Sequence, residues 1–300
     1  MVNNQSIVVD ANVKLSLKRE DLIHPHISGN KYRKLKYNIA FAKANQYKTL
    51  LTFGGAYSNH IAATAAAGKH YNFETIGIIR GEELGEQLEK TLSENETLAF
   101  AVSCGMKLVF ITRESYKNKH TSTFLSMLKE RYEDVYILPE GGTNDLAIKG
   151  CEEILTTPDL DYDYICCAVG TGGTISGIIN ASKESQKIIG FPALKGDFLT
   201  TEIANKVQKS NWILNHEYHF GGYAKVPEKL VDFINNFKKE QGILLDPIYT
   251  GKMMYGIFDL VAKGYFPQNS RILAIHTGGL QGIAGVNKKL HKKGLQIIDI

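Results

Sequence analysis

Short apolar runs alternate with longer amphipathic ones along most of the chain. Seven runs have the length and the β-branched or aromatic content of strands: TLLTF (49–53), TIGII (75–79), KLVFI (107–111), DVYIL (134–138), YICCAV (164–169), KIIGF (187–191) and RILAI (271–275). Helical spacing of apolar positions is seen over 31–45, 58–70, 84–104, 121–131, 145–156, 173–185, 227–240, 252–263 and 279–292. Such alternation predicts βαβ units and therefore parallel sheet. Runs like YICCAV are apolar at every position, as strands covered by helices on both faces must be.

Four of these runs end directly in a Gly-rich polar loop. TLLTF leads into GGAYSNH, DVYIL into PEGGTN, YICCAV into GTGGT and RILAI into HTGG. Ligands of open parallel sheets bind at the carboxyl ends of strands. A loop that opens a helix also presents free backbone N–H groups and the positive end of a helix dipole. One such loop is an ordinary turn. Four of them point to a shared site for an anionic ligand.

The loop Gly170-Thr171-Gly172-Gly173-Thr174 has the character of a phosphate cradle: glycines allow close approach, and the threonines add hydroxyl donors. It lacks the GK[ST] of a Walker loop and does not match GxGxxG, so a small phosphorylated cofactor fits it better than ATP or NAD. The stretch SGNKYRKLKY (28–37) opens a helix with Ser28 or Asn30 as the expected N-cap. Lys31 then falls in the first turn, where the dipole disfavours a cation. That placement suits a lysine with a chemical task beside a bound anion. Lys34 shares its face and is placed to meet a phosphate. Tyr32, Leu35 and Ile39 form the apolar stripe, which leaves Arg33 and Lys36 as solvated residues.

Composition narrows the partners. A formal net charge of +4 over 300 residues, with acids interspersed, gives no footprint for nucleic acid despite the run KYRKLK. The start lacks a signal-peptide pattern and no apolar stretch reaches transmembrane length, so no membrane partner and a cytoplasmic location are expected. The four cysteines form no CxxC or His/Cys cluster, so neither a metal site nor a disulfide framework is expected. Among the histidines, only His60 and His276 draw interest, through the loops that carry them.

KRED (18–21), SGNKYRKLKY (28–37), GGAYSNH (54–60), EGGTN (140–144), GTGGT (170–174), DPIYTGK (246–252) and HTGG (276–279) occur in this order. Together they resemble the pyridoxal-phosphate enzymes of the 1-aminocyclopropane-1-carboxylate deaminase and D-cysteine desulfhydrase family, over about residues 18 to 282. The resemblance implies the tryptophan-synthase-β-like α/β fold (fold type II). Two open, mainly parallel twisted sheets are flanked by helices, and pyridoxal 5'-phosphate lies in the cleft between domains. It implies a large domain from 1–37 and 143–300 and a smaller α/β domain inserted at 38–142.

Residue by residue, Lys31 matches the family's Schiff-base lysine and Lys34 the lysine that helps hold the phosphate. Asn59 matches the asparagine near the cofactor's phenolic oxygen and the substrate carboxylate, and Ser58 the active-site serine beside it. Residues 170–174 match the phosphate loop. Tyr249 and Thr250 match the pair near the pyridine ring, and Thr277 the residue after the last loop's histidine. The expected catalytic residues are Lys31, Ser58 and Tyr249. The substrate contacts are Tyr57, Ser58, Asn59 and His60. Tyr57 stands where the family usually has glutamine and would narrow the pocket or change its hydrogen bonding.

The deaminases resemble YEGK and HLGG at the last two motifs, whereas the desulfhydrase-like members carry YTGK and HTGG, as here. A neutral threonine near the ring suits elimination of a good leaving group, and a glutamate suits ring opening. The resemblance thus implies a lyase acting on a small amino acid, most directly α,β-elimination from D-cysteine to pyruvate, ammonia and sulfide. Ring-opening deamination and a non-catalytic cofactor-binding protein are the alternatives. A homodimer is implied by analogy alone.

Overall fold

The computed structural model describes residues 2–300. Ten strands form two sheets. β1 (Asn4–Ile7), β2 (Lys14–Lys18), β7 (Tyr164–Val169), β8 (Lys187–Pro192), β9 (Trp212–Leu214) and β10 (Arg271–Ile275) build a six-stranded sheet in the order β1-β2-β10-β7-β8-β9. β3 (Thr49–Gly54), β4 (Glu74–Arg80), β5 (Met106–Ile111) and β6 (Val135–Ile137) build a four-stranded sheet in the order β5-β4-β3-β6. Every pairing is parallel except β1 with β2. The architecture is the α/β one that the alternation predicts.

The buried strands show why. In β7, Cys166 and Ala168 pack into the core on one face, while Ile165, Cys167 and Val169 pack into the core on the other. In β3, Leu50 faces one core and Leu51 and Phe53 another. A side-chain period of two with apolar residues at every position demands cover on both faces.

The helices that matter for the site are α1 (Asn30–Ala44), α2 (Asn59–Tyr71), α3 (Glu96–Ser103), α4 (Asp145–Glu152), α5 (Gly173–Ala181), α6 (Thr250–Ala262) and α7 (Gly282–His291). Three of them form a close stack. A Cβ on Gly150 of α4 would sit 2.0 Å from the Arg33 carbonyl oxygen of α1. One on Gly177 of α5 would sit 2.6 Å from the Ile148 carbonyl oxygen of α4. Only hydrogen atoms fit at these crossings, so the start of α1 is held at a set distance from the start of α5. No described helix is long and apolar enough to cross a membrane.

Two differences from the expected pattern have clear causes. The run 84–104 is not one helix but three, at Glu83–Glu86, Leu88–Glu94 and α3. Asn95 is extended (φ −131°) and its side chain caps α3 by accepting from Leu98 N at 3.0 Å. β1 and β2 do not stand out as apolar runs, because β2 carries a charge inside the protein. Lys18 donates to Asp159 at 2.7 Å with both side chains buried, and Asp159 also accepts from Asn4 and Thr156.

Lys18→Met should therefore lower stability by about 3 kcal/mol, because it strands the Asp159 carboxylate in the interior. The thermal midpoint should fall by roughly 5–10 °C, and Lys18→Met/Asp159→Asn should recover part of the loss. An unchanged midpoint in the single variant would remove this ion pair from the account of the β2 edge.

Candidate functional site

The four Gly-rich loops, together with the start of α1, come together at the carboxyl ends of the two sheets. Thr143 Oγ1 and Thr171 Oγ1, from the loops after β6 and β7, are 2.6 Å apart. Asn30 N donates to Thr277 O at 3.2 Å, which joins the start of α1 to the loop after β10. Asn59, which opens α2 directly after the loop that follows β3, accepts from Gln281 of that same last loop. Ser28, Asn30, Lys31, Asn59, Thr277 and Gln281 line one cavity there.

α1 begins differently from the expected form. Gly29, at φ 60°, is the N-cap, and no side chain caps the helix. A Cβ at Gly29 would lie 1.9 Å from Thr277 O, so only glycine lets the last loop press this close. Asn30 is the first helical residue, and its side chain donates to Thr174 Oγ1 at 2.8 Å. The basic residues of α1 divide by face. Arg33 is not a solvated residue: it grips Glu20, which is fully buried, through Nε at 2.8 Å and Nη2 at 2.9 Å. Lys36 pairs with Glu153. Sequence reasoning missed Arg33 because its partner, Glu20 of KRED, lies 13 residues away, outside the helix.

Lys31 and Lys34 point the other way. Lys31 Nζ donates to Gly141 O at 3.1 Å, and Lys34 Nζ donates to the same oxygen at 3.0 Å and to Thr143 Oγ1 at 2.9 Å. Among the described residues, neither has a carboxylate partner. Burial, and then the charge of Lys34, hold the Lys31 amine well below the ordinary lysine value. Burial also lowers Lys34.

Two cations thus converge on neutral oxygens beside the 170–174 loop. Gly172 (φ 81°) caps α5, and Gly173 and Thr174 open it, so their N–H groups have no carbonyl one turn earlier in the helix to meet. This donor set fits the phosphate of a small cofactor. The helix end and the two lysines supply positive potential, and no acid competes.

The GGAYSNH loop contributes further groups. Ser58 is the N-cap of α2, and its Oγ accepts from Ile61 N at 3.3 Å, which leaves the hydroxyl proton free to be donated. Asn59 is the first residue of α2 and reaches into the cavity. His60 is buried, and neither ring nitrogen has a hydrogen-bond partner. Burial, then Lys31 and Lys34, push its pKa well below the usual value, so the ring is neutral near the lysines. An orphaned imidazole in such a place fits a ligand that completes its hydrogen bonds. His276 has a different part: Gly278 N donates to its Nδ1 at 3.2 Å and its Nε2 lies 2.8 Å from Leu244 O, so it braces the last loop.

Tyr249 caps α6 beside Gly170, where a Cβ would meet its ring at 3.1 Å. Burial, then Tyr223 and Asp246, raise its pKa well above the ordinary tyrosine value, so its phenol keeps its proton. Of the expected contacts, Lys31, Asn59 and Thr277 line the cavity, whereas Lys34, Ser58, His60, Tyr249 and the 170–174 loop do not, and Thr250 and Tyr57 are engaged elsewhere. Thr250 is fully buried, and its hydroxyl donates to Asp246 at 2.7 Å as part of the α6 cap. Tyr57 lays its ring on α7, where a Cβ on Gly285 would come within 2.5 Å of it. Asp246, Gly141 and Gln281 were missed, and only Asp246 had a signal, the D-x-x-x-T spacing of a helix cap.

Comparison with known proteins identifies the family. Residues 5–278 match the family model described as pyridoxal-phosphate dependent enzyme. A bifunctional D-cysteine desulfhydrase/1-aminocyclopropane-1-carboxylate deaminase of Arabidopsis thaliana is 31% identical over 90% of this chain and 73% of its own. A Pyrococcus abyssi protein, provisionally named as a 1-aminocyclopropane-1-carboxylate deaminase, is 31% identical over 90% of this chain and 86% of its own. The crystal structure of an ACC deaminase homologue superposes with a TM-score of 0.81 at 26% identity, covering 97% of this chain and 93% of that one.

The lowered Lys31 pKa has a readable consequence. A lysine of lowered pKa gives up its proton first as pH rises, so its neutral, nucleophilic form persists to lower pH than that of surface lysines. Limited acetylation of the cofactor-free protein near neutral pH should modify Lys31 ahead of exposed lysines such as Lys48, and its lead should shrink as pH rises. Peptide mass spectrometry across pH measures this; a Lys31 rate that merely tracks Lys48 would contradict the electrostatics.

Proposed function

The chain belongs to the pyridoxal-phosphate dependent enzymes, in the 1-aminocyclopropane-1-carboxylate deaminase and D-cysteine desulfhydrase family, and from that premise we propose that it is a lyase that eliminates a β-substituent, sulfide above all, from a small amino acid such as D-cysteine. The convergence of Lys31 and Lys34 on Gly141 O beside the 170–174 loop carries the reading, because it joins a neutralisable amine to an anion cradle.

When bound, the cofactor supplies an aldehyde that captures amines and a ring that accepts the electrons of the substrate's Cα–H bond. Lys34, the N–H groups that open α5 and the hydroxyls of Thr171 and Thr174 would hold its phosphate. Lys31 would be the covalent attachment point and, once displaced by substrate, the base at Cα; its lowered pKa suits that task. Ser58 Oγ and Asn59 would bind the substrate carboxylate. Tyr249, which keeps its proton, would orient the Lys31 amine or the substrate amine as a hydrogen-bond donor. His60 would meet the cofactor as a neutral ring.

Support for elimination rather than ring opening comes from Thr250 and Thr277. Thr250 is neutral where the ring-opening members of the family carry the glutamate of YEGK, and Thr277 offers a hydroxyl where they carry the leucine of HLGG. Asp246, the nearby acid, has its carboxylate engaged by Ile248 N, Tyr249 N, Thr250 N and Thr250 Oγ1.

Reconstituted protein should show a visible absorbance band that borohydride abolishes, with the adduct mapping to Lys31. Lys31→Ala should lose the adduct and lower sulfide release from D-cysteine by about 10²–10⁴-fold. Robust 2-oxobutanoate from 1-aminocyclopropane-1-carboxylate, without sulfide from D-cysteine, would reverse the choice of reaction. A borohydride-stable adduct retained in Lys31→Ala would refute the lysine assignment.

A further inference from the structure

Gln281 immediately precedes α7, and its side-chain amide donates to Oδ1 of Asn59. The bond crosses from the loop after β10 to the start of α2, which follows β3, from one sheet to the other. Both residues line the cavity with Lys31. With Oδ1 occupied by a donor, the NH2 of Asn59 is turned away from Gln281. The surroundings agree. A Cβ on Gly279 would lie 2.6 Å from Asn59 Nδ2, and one on Gly282 would lie 3.7 Å from Asn59 Oδ1.

The body of α7 is itself packed in place. Tyr57 packs on Gly285, Lys289 lies 5.0 Å from the centre of the Tyr57 ring, and Lys288 Nζ donates to Glu94 O at 3.2 Å. Gln281 is exposed and makes no other side-chain hydrogen bond among the described residues, so its amide serves this one contact.

An asparagine facing a carboxylate has two ends of opposite use. Its NH2 attracts the anion and its carbonyl oxygen repels it. We propose that Gln281 is a positioning residue, which locks the Asn59 side chain so that its NH2 is the end offered to the substrate carboxylate. This rests on the enzyme reading above and adds to it a residue that lies outside the motifs matched to the family. It also makes substrate recognition depend on contact between the two sheets, since Asn59 and Gln281 come from different ones.

The test uses the holoenzyme and its Q281L and Q281E variants. The probes are D- and L-alanine, which have no β-leaving group, and ethylamine, the same amine without a carboxylate. Titration followed by the cofactor's visible absorbance reads the dissociation constants. Q281L should weaken the alanine that wild type prefers by about tenfold or more, while ethylamine stays within about twofold. Q281E should weaken alanine further, because a carboxylate can only accept and would draw the Asn59 NH2 to itself. On D-cysteine, both variants should raise KM far more than they lower kcat.

Equal weakening of alanine and ethylamine in Q281L would overturn the proposal, as would wild-type alanine affinity in Q281E. A wild-type protein with no visible band would overturn the enzyme reading and this inference together. A normal band with alanine binding untouched in Q281L would overturn this inference alone.

Discussion

Lys31 and Lys34 share one acceptor, the carbonyl oxygen of Gly141. Two ammonium groups buried side by side repel, and each has given up water to be there; such charges cost several kcal/mol unless an opposite charge answers them. No carboxylate does so among the described residues. The cost shows in the lowered pKa of both amines. An anion at the start of α5 would relieve it. The turn that supplies the shared oxygen depends on Gly141 and Gly142, both at φ 69°, a region that side chains avoid.

The rest of the structure holds this arrangement in place. α1 carries the lysines, α4 packs on it at Gly150, and α5 packs on α4 at Gly177. These crossings bring backbones together without intervening side chains, so they have little freedom to slide. Glu20 and Arg33 fasten α1 to the segment that follows β2. Gly29 lets Thr277 press against the start of α1. Lys31 and the 170–174 loop therefore come from different parts of the chain but from one closely packed stack of helices.

The strands and the loops at their ends were legible because they obey local rules. An apolar run covered on both faces has no polar positions, and a glycine-rich loop after it marks the binding edge of a parallel sheet. Lys31 was legible because it breaks a rule, as a cation in a first turn. The features that escaped follow long-range contacts. Lys18 makes β2 look like surface, yet it is buried against Asp159, far along the chain. Arg33 resembles a solvated residue until Glu20 is placed beside it. Thr250 belongs by motif to the site, but Asp246 claims its hydroxyl. Tyr57 reads as a pocket residue, but Gly285 offers its ring a flat seat on α7.

Residue order was enough to establish the α/β class and the family, and to single out the strand ends and the amine at position 31 as the place to look, since each depends on local pattern or on motifs read in series. That Gln281 meets Asn59, that His60 lacks partners, and that two lysines meet at one oxygen all depend on groups distant in sequence. Hydrogen bonds and desolvation act through space and fall off within a few ångströms, so neighbours in the chain carry no record of them until the sheets and helices have packed.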